Sequence, residues 1–113
     1  MCVDIDDWIL RIRSTDAMTF EDAYFGIRPE GPDVTARLIS ELQTSVDGYT
    51  RGKFCELLGE MGDESAISAL TAELEHPDET VRGWASQALD ELRSEKARAA
   101  KAQHLKQFRA NRT

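Results

Sequence analysis

Residues 31–62 and 63–95 of this chain carry one pattern twice. Leu38, Glu41 and Leu42 recur 32 residues later as Leu70, Glu73 and Leu74, while Asp47, Arg51, Gly52, Leu58 and Glu60 recur 31 residues later as Asp78, Arg82, Gly83, Leu89 and Glu91. A one-residue gap in the loop between the two groups reconciles the offsets. Self-similarity at this period is the signature of stacked helical hairpins, because a single hairpin cannot bury its own apolar stripe and a neighbouring copy must cover it. The expected fold class is all-α: a short α-solenoid of antiparallel helical hairpins with about six to seven helices. Arrays of this kind present an extended surface to a partner, which weighs against catalysis.

Helical periodicity fills in the elements. Ile5, Trp8, Ile9 and Ile12 follow Asp4 at helical spacing. Thr19 with Asp22 reads as a capping box for a second helix whose inner side is Phe20, Ala23, Tyr24 and Ile27. Pro29 and Pro32 make residues 28–32 a linker. A third helix then places Val34, Leu38, Ile39 and Leu42 inward. The fourth, after Asp47, has the stripe Thr50, Phe54, Leu57, Leu58 and Met61, with Gly59 and Gly62 loosening its end. Asp63 caps a fifth with Ile67, Leu70 and Leu74, stopped at His76 and Pro77. Asp78 opens a sixth with Val81, Ala85, Ala88, Leu89 and Leu92. From Ser94 an alanine- and base-rich stretch predicts a seventh helix that frays, with residues 111–113 disordered. The organisation expected is one domain: a degenerate capping hairpin at 1–30, repeats at 31–62 and 63–94, and a basic helix or tail at 95–113.

Charge is unevenly placed along the 113 residues. Residues 1–92 hold 20 of the 21 acidic and 7 of the 14 basic side chains, a net −13, whereas residues 93–113 carry +6. The body repels polyanions and the tail attracts them. The absence of a long apolar run and of a basic start before an apolar segment predicts a soluble, cytoplasmic chain. Cys2 and Cys55 make neither a disulfide framework nor a metal-ligand spacing, so no metal and no cofactor are expected.

The run Gly59, Glu60, Met61, Gly62, Asp63, Glu64, Ser65, Ala66, Ile67, Ser68, Ala69, Leu70, followed by His76, Pro77, Asp78, Glu79, Thr80, Val81, Arg82, Gly83, Trp84, Ala85, resembles the HEAT-like repeat family, including the type found in phycobilisome lyases. The resemblance covers residues 32–92 and leaves the tail unmatched. It implies that the second helix of each pair lines a concave side. It implies further that the turn aspartate and the arginine four positions on, Asp47 with Arg51 and Asp78 with Arg82, join successive repeats. An aspartate cap with an arginine one turn later is also what free amides at a helix start favour.

The remaining constellations have plain and functional readings. Asp4, Asp6 and Asp7 read as helix capping rather than a cation site, since the glycine turn and distal glutamate of a calcium loop are missing. Cys55 with His76 or His104 lacks an orienting third group, and a free cysteine commonly acts as a small hydrophobe. Trp84 stands where the first copy has Lys53, so the indole is either a partly exposed anchor for a partner or a cover over the core. Around it Tyr49, Glu56, Glu60, Gln87 and Glu91 give a mostly acidic inner surface. The function expected is a non-enzymatic module that binds a basic partner protein through this face, in a narrower version a neutralising protein of the immunity or antitoxin kind. The alternative is a nucleic-acid-associated protein working through its basic tail. A homodimer through the end of the stack is a further expectation.

Overall fold

The computed structural model describes residues 3–111; Cys2, Arg112 and Thr113 lie outside the described residues, as do the side chains of Pro32 and residues 108–111. The described residues form seven α-helices and one 3₁₀ turn, with no strand: α1 (Ile5–Ile12), α2 (Ala17–Phe25), α3 (Pro32–Thr44), α4 (Gly48–Met61), the turn Glu64–Ala66, α5 (Ile67–Glu73), α6 (Glu79–Glu91) and α7 (Glu95–Asn111). The fold is all-α, of the short helical solenoid class. Asn111, expected in a disordered end, closes α7. The chain divides into two compact units, residues 1–36 and 37–113, with the boundary inside α3.

In the first unit, Asp4 caps α1 by accepting from the amides of Asp6 and Asp7. That occupies the carboxylate in helix capping. Trp8, Ile9 and Ile12 are buried, and the Trp8 indole Nε1 donates to the Ala23 carbonyl of α2 at 3.0 Å. The cap of α2 differs from the expected one. Asp16 accepts from both the amide and the hydroxyl of Thr19, which places Thr19 inside the first turn. Those two bonds hold the Asp16 carboxyl below its usual range. Ala23 and Tyr24 are buried as expected, but Ile27 is 82% exposed. The reason is that α2 stops at Phe25 and Gly26 is extended, so Ile27 leaves the helical face.

The second unit is built on α4 and α6. Three close approaches set their packing: Gly48 against Asp78 and Val81, Gly52 against the Trp84 indole, and Gly59 against the Ala88 backbone. The ascending order on both helices makes the pair parallel, one copy of the repeat beside the next. A Cβ on Gly59 would sit 2.8 Å from the Ala88 Cα. Gly59 is therefore an axial contact between copies, rather than the loosened helix end expected from its sequence. Gly62, with φ of 72°, does end α4 in the left-handed region that glycine favours. Phe54, Cys55, Leu57 and Leu58 of α4, Leu70 of α5, and Val81, Ala85, Ala88 and Leu89 of α6 form the core of this unit. Thr50 and Met61, at the edges of the expected stripe, are half-buried.

The basic segment is a packed helix. α7 lies against α5 and α6, with Ala97 fully buried. Lys101 Nζ binds both carboxylate oxygens of Asp90 at 2.9 and 3.0 Å, and Ser94 Oγ donates to Glu64 Oε2 at 2.6 Å. Arg93, with φ of 51°, makes the reversal between α6 and α7. No described helix is long and apolar enough to cross a membrane.

Candidate partner-binding face

The face shared by α4 and α6 follows from their register. Positions 49, 53, 56 and 60 form one helical stripe on α4, and 80, 84, 87 and 91 form its copy on α6. Asp47 starts the first stripe by accepting from the Thr50 amide and hydroxyl, both at 3.0 Å, which hold its carboxyl below the usual range. Asp78 starts the second through the Thr80 amide at 2.9 Å.

Neither aspartate pairs with the arginine four positions on. Arg51 instead donates Nη1 to the Ser45 carbonyl at 2.7 Å and grips the Glu73 carboxylate through both Nε, at 3.3 Å, and Nη2. Those two side chains are 13% and 7% exposed. Arg51 does join the two copies, but through Glu73, a residue 22 positions away. Sequence reasoning missed this pair, although the recurrence of Glu41 as Glu73 was its signal. In the second copy Arg82 Nη1 donates to the carbonyls of His76 and Pro77 at 2.8 and 2.9 Å.

Trp84 is half-buried, its ring lying over the α4 backbone where a Cβ on Gly52 would meet Cδ1 at 2.6 Å. Among the described residues its indole N–H has no acceptor. The side chain thus combines a fixed apolar plate with a free donor. Tyr49 is 66% exposed and carries the Lys53 ammonium over its ring, 4.4 Å from the centroid. Partial burial lowers the Lys53 pKa, against a smaller opposing effect of Asp47. This cation was missed as part of the face, and it divides the surface into a basic-aromatic half and an acidic half.

The acidic half is Glu56, Glu60 and Glu91. Glu56 is half-buried, and its pKa is raised first by burial and then by the charges of Glu60 and Glu91. The three carboxylates therefore share one electrostatic neighbourhood across the two helices. Gln87 and Glu91 are exposed and line an open depression with Asp90 and Arg93. All six expected residues thus lie on helices α4 and α6, but Gln87 and Glu91 open partly toward the end of α6. Cys55, facing inward from α4, is fully buried and its thiol is pushed up to about 12, chiefly by burial. A thiol so placed stays protonated at neutral pH and is not a nucleophile. No group of three or more His, Cys, Asp or Glu side chains that could hold a metal ion occurs among the described residues.

A family model for HEAT repeats matches residues 35–111. The match runs past the residues on which the sequence resemblance rests and takes in α7. No curated protein and no solved structure is similar enough to the chain to count as a match.

Proposed function

The chain belongs to the HEAT repeat family, and from that premise we infer that it is a non-enzymatic binding module whose α4–α6 face holds a basic partner protein. HEAT repeats generally mediate protein–protein interaction, so binding is the coarse part of the reading and the partner's charge is the finer part. The observation that carries the finer part is the shared neighbourhood of Glu56, Glu60 and Glu91, in which burial first and then the charges of Glu60 and Glu91 raise the Glu56 pKa. A cationic side chain entering there would relieve the repulsion among these charges, and the half-buried Trp84 plate with its free N–H supplies an anchor beside it. Complementary charge speeds encounter and a desolvated aromatic slows departure.

The narrower version is a neutralising protein of the immunity or antitoxin kind, covering the basic cleft of its target. The acidic charge of residues 1–92 supports it. For the rival role of the basic segment in nucleic-acid binding, the packing of α7 is unhelpful, since Lys101 is already taken up by Asp90. The test is affinity capture from the native host with the wild-type chain and with the triple variant Glu56→Lys, Glu60→Lys, Glu91→Lys. Recovery of a basic protein by the first and its loss by the second is the expected result. Equal recovery by both removes the acidic face from the binding. A toxin-like reading frame beside the gene would select the narrower version.

A further inference from the structure

The two copies of the repeat present the same residues to different surroundings. In the first, Arg51 holds Glu73 and Gly52 lies beneath the Trp84 indole. In the second, Arg82 has its two loop carbonyls but no carboxylate among the described residues, and nothing lies within 4 Å of a Cβ built on Gly83. The positions 31 and 32 residues after Glu73 are His104 and Leu105 of α7, so on either offset of the repeat this helix brings no anion to Arg82. Arg82, Gly83, Ser86 and His104 border an open groove of about 750 Å³ with Leu74 and Leu105 as its apolar walls, and Glu75, Glu79 and Lys101 line it as well.

We propose that this groove is a second binding site, one that takes a short peptide segment of a partner protein carrying an aromatic side chain beside a carboxylate. The filled junction supplies the template: the aromatic ring lies on Gly83 as Trp84 lies on Gly52, and the carboxylate meets Arg82 as Glu73 meets Arg51. An arginine with unpaired donors beside an apolar wall selects a carboxylate through charge-assisted hydrogen bonds. A whole helix packed as closely as α6 on α4 is excluded by sequence, because Glu79 and Asp90 stand where the first copy has Gly48 and Gly59. Side chains at those two positions keep a helix from approaching as closely as α6 approaches α4, and α7, held to Asp90 through Lys101, leaves the groove beside Gly83 open. The site is distinct from the acidic α4–α6 face, and Arg82 is the group in it that would take the carboxylate.

The test uses the whole chain, ¹⁵N-labelled, titrated with the capped tetrapeptide Gly-Trp-Glu-Gly and followed by amide chemical shifts. Saturable shifts at Gly83, Ser86 and Leu105, with a Kd of roughly 0.1–1 mM, are expected. Replacing the peptide's glutamate by glutamine weakens binding about tenfold, and Arg82→Gln abolishes that difference between the peptides. Because Arg82→Gln also loses two loop bonds, Gly83→Leu provides an independent check: open space at Gly83 lets it fold, and the leucine fills the slot and eliminates binding. No saturation by about 10 mM overturns the proposal. So does an Arg82→Gln chain that still prefers the glutamate peptide, or shifts confined to the Tyr49–Glu60 stripe. A wild-type dimer in sedimentation that Gly83→Leu converts to monomer also overturns it, since a second copy would then be the occupant.

Discussion

Arg51 and Gly52 of the first copy of the repeat recur as Arg82 and Gly83 in the second, and what separates the two pairs is what stands beside them. Arg51 and Arg82 occupy equivalent positions, and each donates to the carbonyl of an equivalent loop residue, Ser45 or His76. Arg51 then finds a carboxylate in a nearly dry junction, whereas Arg82 faces an open groove. Gly52 and Gly83 diverge in the same way, one covered by an indole and the other bare. A repeat residue is therefore structural or available for binding according to its neighbour, and the same letter serves both ends.

Equivalent substitutions in the two copies should consequently have unequal effects. The largest is expected for Glu73→Ala, which leaves the Arg51 guanidinium buried and unpaired; denaturant unfolding should show a loss of about 3–5 kcal/mol. Gly52→Ala drives a methyl group to 2.6 Å from Cδ1 of the Trp84 indole and should cost about 1–3 kcal/mol. Gly83→Ala in the open groove should gain about 0.5–1 kcal/mol from helix propensity in the same measurement. Equal effects of these two glycine substitutions would erase the distinction between a filled and an open junction. Chemical labelling reads the difference kinetically. Cys55, buried with its thiol pushed up to about 12, should resist iodoacetamide at pH 8, while Ser86→Cys at the equivalent, half-buried position should react at least about tenfold faster.

The smallest effect is electrostatic and separates the binding face from the core. The Glu56 pKa is raised in the folded chain, so the proton is held more tightly when folded, and the stability it contributes at low pH is lost as pH rises through that raised value. Glu56→Gln removes the loss. Its melting temperature should equal that of the wild type near pH 4 and exceed it by a degree or two, about 2 °C, at pH 7. A lower melting temperature at pH 7 would mean that Glu56 is a structural partner rather than a charge held ready for a cation.

Much of the second unit was legible because its signals are local and repeated. Val81, Ala85, Ala88 and Leu89 recur at helical spacing and all are buried. The acidic stripe was legible for the same reason: once Glu60 and Glu91 share a register, their helices place them on one face. What escaped depends on contacts distant in sequence or on where a helix stops. Nothing near Arg51 announces Glu73, because the pairing comes from stacking. Gly59 reads locally as a helix breaker, and only the approach of Ala88 shows why a side chain is excluded. Ile27 fits the period of α2, but the helix ends before reaching it. α7 was underestimated because alanine is a weak hydrophobic signal, yet Ala97 is fully buried.

Stacking of one copy on the next through a buried arginine is most directly measured by a pair of double-mutant cycles, Arg51→Met with Glu73→Leu and Arg82→Met with His104→Leu, each read by urea unfolding. A coupling of about 2 kcal/mol or more in the first cycle and within about 0.5 kcal/mol of zero in the second is the expected result. Couplings of equal size in the two cycles, or none in the first, would contradict it.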